Sequence, residues 1–273
     1  MWMVLDAAGI RAWIDHRRGQ WLLVVPEEAL PRALQELDDY QREILTEPHR
    51  KERPVSPLAG GGIGVVAYTV VLIGAAGLAS RYAFGADWFE AGRAQAGLIV
   101  EGEWWRVFTA LTLHVDAGHL VANLVFGSVF GFLAAQVLGG GAAWFVILLG
   151  GGLGNAVNAG LQPPQHAAVG ASTAVFAALG VLVAVSLYHR RNLPGGVVRR
   201  WSPLVGGLVL LAYMGMSGER TDVLAHVTGL LAGLVLGAAC ALLPIAWLDR
   251  RPVQIGAAIL TVLLLVLSWM FAV

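Results

Sequence analysis

The chain has 273 residues, 57% of them hydrophobic and 13% charged, with equal numbers of basic and acidic side chains and a mean hydropathy of +0.69. That balance lies far outside the range of soluble domains and points to a protein that crosses a bilayer several times. Zero net charge, with no basic block set against aromatics, excludes an electrostatic footprint for nucleic acid, and the single cysteine, Cys240, excludes an intrachain disulfide and thiolate ligation of a metal.

In chain order, the opening "MWMVLDAAGIRAWIDHRRGQ" lacks the basic start, apolar core and small-residue cleavage site of a signal peptide, so the N-terminus is expected in the cytoplasm. Residues 1–48 read as a small cytoplasmic α+β module. "AGIRAWIDHR" and "GQWLLVVP" are apolar-rich runs on either side of a charged glycine turn, and "PEEALPRALQELDDYQREI" repeats apolar residues at helical spacing. The expected order is helix, hairpin, helix. Residues 49–60, rich in charge, proline and glycine, read as a linker.

Seven stretches then approach the ~20 apolar residues a span requires: 61–80, 114–138, 142–161, 168–188, 203–217, 223–247 and 254–273. The connections "HRKER", "YHRRNLPGGVVRR" and "LDRRPVQ" fall on one side if the helices alternate, which makes that side the cytoplasm. On the opposite side lies "SRYAFGADWFEAGRAQAGLIVEGEWWR", long and rich in aromatics. It reads as a functional loop lying in the membrane interface.

Polar side chains inside spans are costly and mark function. His119 and Asn123 in the second span are four residues apart and share a helix face. Asn123, Ser172 in the fourth span and His226 in the sixth each lie six or seven residues from the last interfacial residue of their helix. At 1.5 Å per residue all are about 10 Å below the outer surface. Together they supply a nucleophile, a base and donors for an oxyanion, the set that acyl transfer requires. Gly229, Gly233 and Gly237 form overlapping GxxxG steps below His226, with Gly170, Ala171 and Ala174 a matching narrow start to the fourth span. Asp222, four residues before His226, reads as an N-cap rather than as a third catalytic member.

These motifs resemble the rhomboid intramembrane serine proteases over residues 60–250, in family order. "EWWRVFT" is similar to the Trp-Arg motif of the first external loop, with Trp105 and Arg106. "HVDAGHLVAN" is similar to the second-helix pattern, with His114, His119 and Asn123; "GAST" resembles the nucleophile motif, with Gly170 and Ser172; and "AHVTGLLAG" resembles the sixth-helix motif, with His226, Gly229 and Gly233. The resemblance implies an all-α polytopic fold, a six-helix bundle over 61–250 with one extra C-terminal helix over 251–273. It further implies a Ser172–His226 dyad without an acidic member, and oxyanion donors from His119, Asn123 and the backbone N–H groups of Ala171 and Ser172. Phe176 matches an aromatic that packs on the catalytic imidazole, while His114 is taken as structural. Thr173 stands where the pattern has glycine, a β-branched side chain beside the nucleophile.

No cofactor and no metal are implied. The implied partners are single-pass transmembrane substrates and the bilayer itself, and the expected location is the cell (inner) membrane. Two other readings are set beside the protease: an inactive rhomboid-like protein that escorts membrane clients, and a transporter using the polar cluster as an ion site. The first would typically lack Ser172 or His226, and the second would call for a carboxylate in mid-span.

Overall fold

The computed structural model of the chain describes residues 2–17, 19–46, 60–191, 196–215 and 222–273. The linker expected at 49–60 lies outside these residues apart from Gly60. Two compact units are present, Met1–Ser56 and Pro57–Val273.

In the first unit, helix α1 (Trp2–Ala7) is followed by a hairpin of β1 (Trp13–Arg17) and β2 (Gln20–Val24), then by α2 (Leu30–Thr46). The hairpin is antiparallel, pairing Trp13 with Val24 and Arg17 with Gln20, and Gly19 supplies a φ of 78° at its turn. Ala33 and Leu37, one turn apart on α2, pack with Leu5, Ile10, Leu23 and Val25 to form a small core. The order is helix, hairpin, helix.

The second unit begins with α3 (Gly61–Ser80). A segment of short elements follows: α4 (Trp88–Gly92), β3 (Ala94–Gln95), α5 (Ala96–Val100) and α6 (Arg106–Thr109). Next come α7 (Ala117–Leu138), α8 (Gly140–Leu161), β4 (Ala167–Ala168), α9 (Ser172–Arg190), α10 (Gly196–Gly215), α11 (Val223–Ala241), α12 (Ile245–Leu248) and α13 (Arg251–Ala272). Among the described residues, α3, α7, α8, α9, α11 and α13 are long and apolar enough to cross a membrane. This is an integral multi-pass membrane protein. The span expected at 203–217 falls in α10, whose sequence stays apolar from Pro203 to Gly215. Residues 216 and 217 lie outside the described chain.

Helix boundaries differ from the hydropathy windows for local reasons. α7 starts at Ala117 because Asp116 is its N-cap, its carboxylate accepting from the His119 N–H at 2.8 Å. α9 starts only at Ser172, since Gly170 before it has a φ of 133°. α11 ends at Ala241, just ahead of Pro244, which cannot continue a helix. α9 is buried on nearly every side from Thr173 to Val185, as expected of a helix that is apolar all round and central to a bundle. The segment from 81 to 105, expected as an interfacial loop, is folded: β3 pairs with β4, and the Ala96 and Gly97 N–H groups donate to the carbonyls of His166 and Pro164.

At its start α13 is fastened to the ends of α7, α8 and α12 by one amide. Gln254 Oε1 accepts from the N–H groups of Gly141 and Ala142 at the start of α8, and its Nε2 donates to the carbonyls of Leu138 and Leu248. Four backbone groups that helix ends leave orphaned are thereby satisfied. Gln254→Leu, similar in size but without polar atoms, is expected to cost about 1–3 kcal/mol for the groups left unpaired. A thermal melt of the reconstituted protein checks it, and an unchanged midpoint would show that those groups find other partners.

Candidate active site

The site is built at the end of the bundle where α7, α9 and α11 begin. Ser172 is the first residue of α9, and His226 lies in the first turn of α11. Ser172 Oγ is 2.9 Å from His226 Nε2. The imidazole is buried and packs on the ring of Phe176, one turn below Ser172, with centroids 4.5 Å apart.

Small residues set the closeness of α9 to α11. A Cβ added at Gly229 would overlap the Thr173 carbonyl, one at Gly233 the Ala177 carbonyl, and one at Gly237 would lie 2.7 Å from the Val181 Cα. Successive turns of α11 thus rest directly on the backbone of α9. The Thr173 methyl points to the same junction, 2.8 Å from where a Cβ at Gly154 of α8 would be and 3.0 Å from one at Gly229. Its branched side chain is therefore buried between α8 and α11, and the bulk expected beside the nucleophile is taken up by two glycines.

Gly170 is required twice. Its φ of 133° is costly for any residue with a side chain, and a Cβ there would come 2.5 Å from the His119 ring. The Gly170 N–H donates to the Ala110 carbonyl at 2.9 Å, and the Ala171 N–H points at His114 Nε2 at 3.4 Å. His114, buried and with its ring 5.1 Å from that of His119, therefore supports the strand that leads into Ser172. On α7, the buried Asn123 donates from Nδ2 to the His119 carbonyl at 3.0 Å, while Tyr68 from α3 donates to the Asn123 carbonyl at 2.8 Å.

These groups face a cavity of about 1310 Å³ whose lining includes His119, Asn123, Ser172, Phe176 and His226. Phe89 and Arg93 line it from the segment between α3 and α7. Arg106 organises that segment: its buried guanidinium pairs with Glu103 and donates to the carbonyls of Glu90 and Arg93. Trp105 stacks on Phe271 of α13, with centroids 5.8 Å apart. Trp269, also on α13, packs on Trp88, lies over Gly92 and donates to Thr112 Oγ1 at 3.2 Å. Among the described residues no group of three or more His, Cys, Asp or Glu is placed to hold a metal ion.

Asp222 is the N-cap of α11, accepting from the Ala225 N–H at 3.0 Å. Its other oxygen accepts from His166 Nε2 at 2.7 Å and from Asn158 Nδ2 at 2.8 Å. Burial alone would raise the Asp222 carboxyl, but the bonds from Ala225, His166 and Asn158 outweigh it and hold the group below the usual carboxylate range. His166 and Asn158 were not singled out from the sequence. They lie 56 and 64 residues from Asp222, and no local pattern joins them.

Residues 101–243, just over half of the chain, match the rhomboid domain. Rhomboid protease GluP of Bacillus subtilis (strain 168) is 27% identical over 151 residues, which are 55% of this chain and 29% of GluP. YdcA of the same strain is 31% identical over 144 residues, 52% of this chain and 70% of YdcA. Rhomboid-like protein 11, chloroplastic, of Arabidopsis thaliana is 31% identical over 157 residues, 54% of this chain and 56% of that protein. The similarity to GluP thus spans less than a third of that relative's length.

Proposed function

Because the chain belongs to the rhomboid family, we propose that it is an intramembrane serine endopeptidase that cleaves single-pass transmembrane proteins near the outer membrane face. The observation that carries this reading is the 2.9 Å approach of Ser172 Oγ to His226 Nε2 beside a cavity of about 1310 Å³. Protease-named relatives such as GluP support it. Residues 61–250 are the catalytic core in this reading, 251–273 an added helix, and 1–48 a cytoplasmic module joined through 49–60. The protein sits in the cell (inner) membrane with its N-terminus in the cytoplasm.

The chemistry follows from the dyad. Ser172 Oγ attacks the scissile carbonyl carbon as His226 Nε2 takes its proton, giving a tetrahedral oxyanion. His119, Asn123 and the N–H groups of Ala171 and Ser172 are the donors for that oxygen; Asn123 Nδ2 and the Ala171 N–H must turn from their present acceptors to reach it. The C–N bond then breaks, the proton on His226 passes to the leaving amine, and the acyl group stays on Ser172. Water entering through the cavity gives a proton to His226 as its oxygen bonds to the acyl carbon. The carbon–Oγ bond then breaks and the proton returns from His226 to Ser172 Oγ, releasing the acid and free serine. The ring of Phe176 limits rotation of the imidazole throughout.

Reconstituted protein is the test. Incubation with a serine-directed fluorophosphonate should label one site, mapped to Ser172 by mass spectrometry, and a panel of single-pass helices should be cut. A protein that binds such helices yet neither labels nor cuts them would favour the inactive escort instead. Removing one oxyanion donor typically costs about 100- to 1,000-fold in turnover. Asn123→Ala and His119→Ala are accordingly expected to be slow but not dead, and a loss under about threefold in both would leave the oxyanion to backbone N–H groups alone.

A further inference from the structure

Resting on the dyad reading above, we propose that Asp222 is a positioning residue, the centre of a latch with His166 and Asn158 that registers the start of α11 against the start of α9.

One carboxylate reaches three parts of the fold. Oδ1 accepts from the Ala225 N–H within its own helix, and Oδ2 accepts from His166 Nε2 and Asn158 Nδ2. Asn158 belongs to the last turn of α8. His166 stands six residues before Ser172 and is itself held: its carbonyl accepts from the Ala96 N–H at 2.9 Å, and its N–H donates to the Pro163 carbonyl at 2.9 Å. Ala167 and Ala168 next to it are paired with β3, and Gly170 is bonded to Ala110. The chain leading into the nucleophile is therefore fixed, and His166 is the point at which Asp222 meets it.

Asp222 lies one helical turn before His226, and its carbonyl accepts from the His226 N–H at 3.2 Å. Below His226, the glycine contacts at Gly229 and Gly233 set how near α11 comes to α9. Apart from the Thr173 methyl at Gly229 and the Ala184 Cβ at Gly237, these contacts are with backbone, so few side chains interlock to oppose sliding along the helix axis. The latch acts on that coordinate, because hydrogen bonds at 2.7 and 2.8 Å to two separate elements fix the height of the first turn. A serine and an imidazole need that height to be right, since a displacement of about 1 Å can cost on the order of 100-fold in rate. Asp222 and His166 also lie on the wall of the cavity, but with both carboxylate oxygens engaged by Ala225, His166 and Asn158, Asp222 acts on His226 through the helix and not by contact with the imidazole.

The experiment measures fluorophosphonate labelling and steady-state cleavage of a single-pass substrate by reconstituted full-length protein. Asp222→Ala is expected to lower kcat by about tenfold or more with KM within about twofold, because misalignment of the dyad acts on the chemical step, whereas a carboxylate whose oxygens are engaged in the latch lends substrate little binding. A KM that rises as much as kcat falls would make Asp222 a substrate contact instead and overturn the latch. His166→Ala should lose a similar amount, and the double variant should lose no more than Asp222→Ala alone, since both remove one latch. Asp222→Asn should recover to within about threefold of the parent, because asparagine also caps a helix, and its amide NH2 can donate to the Asn158 oxygen once that amide turns and to His166 Nε2 in the tautomer protonated at Nδ1. Should Asp222→Ala fail to fold, His166→Ala and Asp222→Asn carry the test.

Asp222→Ala that folds and cleaves within about twofold of the parent, additive losses in the double variant, or an asparagine variant as slow as the alanine one would each overturn the latch. A parent protein that is not labelled at Ser172 overturns the dyad reading itself. That outcome is distinct from slow labelling of a variant beside an active parent.

Discussion

Ser172→Ala is expected to abolish fluorophosphonate labelling and to lower cleavage by on the order of 10⁴-fold or more, as removal of a nucleophile does in serine hydrolases. An alkyl hydroxyl is a weak nucleophile at neutral pH. It gains reactivity from a base in hydrogen-bond reach, which in the proposed dyad is His226, its Nε2 at 2.9 Å. His226→Ala should therefore lose about as much as Ser172→Ala, and the double variant little more than either, because the two groups act as one unit. Stability separates the two. Ser172→Ala deletes one half-buried oxygen and should melt close to the parent, whereas His226→Ala opens a space beside Phe176 and should melt lower. Labelling that persists in Ser172→Ala would sink the assignment of the nucleophile.

Gly233→Val should have the largest effect on folding. Its Cβ would overlap the Ala177 carbonyl, which belongs to the backbone of the most buried helix in the bundle and has no rotamer to move into. Overpacking usually costs 1–3 kcal/mol when side chains give way, and a clash with backbone lies at or beyond about the upper end of that range. At roughly 2–4 °C per kcal/mol for a unit of this size, the melting midpoint should fall by about 6–12 °C or more. Any folded remainder should be nearly inactive, because parting α11 from α9 also parts His226 from Ser172. Gly256→Val on α13, where nothing lies within 4 Å, is the matched control and should melt as the parent does. Equal stability and activity for Gly233→Val would mean that α9 and α11 are not held at this contact.

The parts of the molecule that could be read from sequence are those whose signal is local. A span of about 20 apolar residues announces itself, and a serine or histidine within one is conspicuous because burying it is costly. Ser172, His226 and the glycines of α11 were legible for that reason, as was Asp222 as an N-cap. What escaped were contacts made at long range. Gln254 meets Gly141 across 113 residues, Trp269 meets Thr112 across 157, and His166 meets Asp222 across 56. No periodicity joins such pairs. The segment between α3 and α7 escaped differently, since its order comes from contacts with distant chain: a buried guanidinium bonded to the carbonyls of Glu90 and Arg93, and pairing of β3 with β4. Thr173 was legible as a departure from the family pattern, but its fit was not, because the glycines that receive its methyl lie on two other helices.

The attachment of α13 also has a bearing on the order of synthesis. Phe89 and Arg93 line the cavity from a segment that a ribosome finishes long before it makes Trp269 and Phe271. Gly92 and Trp105 therefore emerge without the aromatic partners that later cover them. Ser172 and His226 can meet once α11 is inserted, but the segment that carries Phe89 and Arg93 gains its aromatic backing only when α13 has docked. A nascent chain stalled before α13 would carry Ser172 and His226 without the aromatic cover of Trp269 and Phe271 over Gly92 and Trp105.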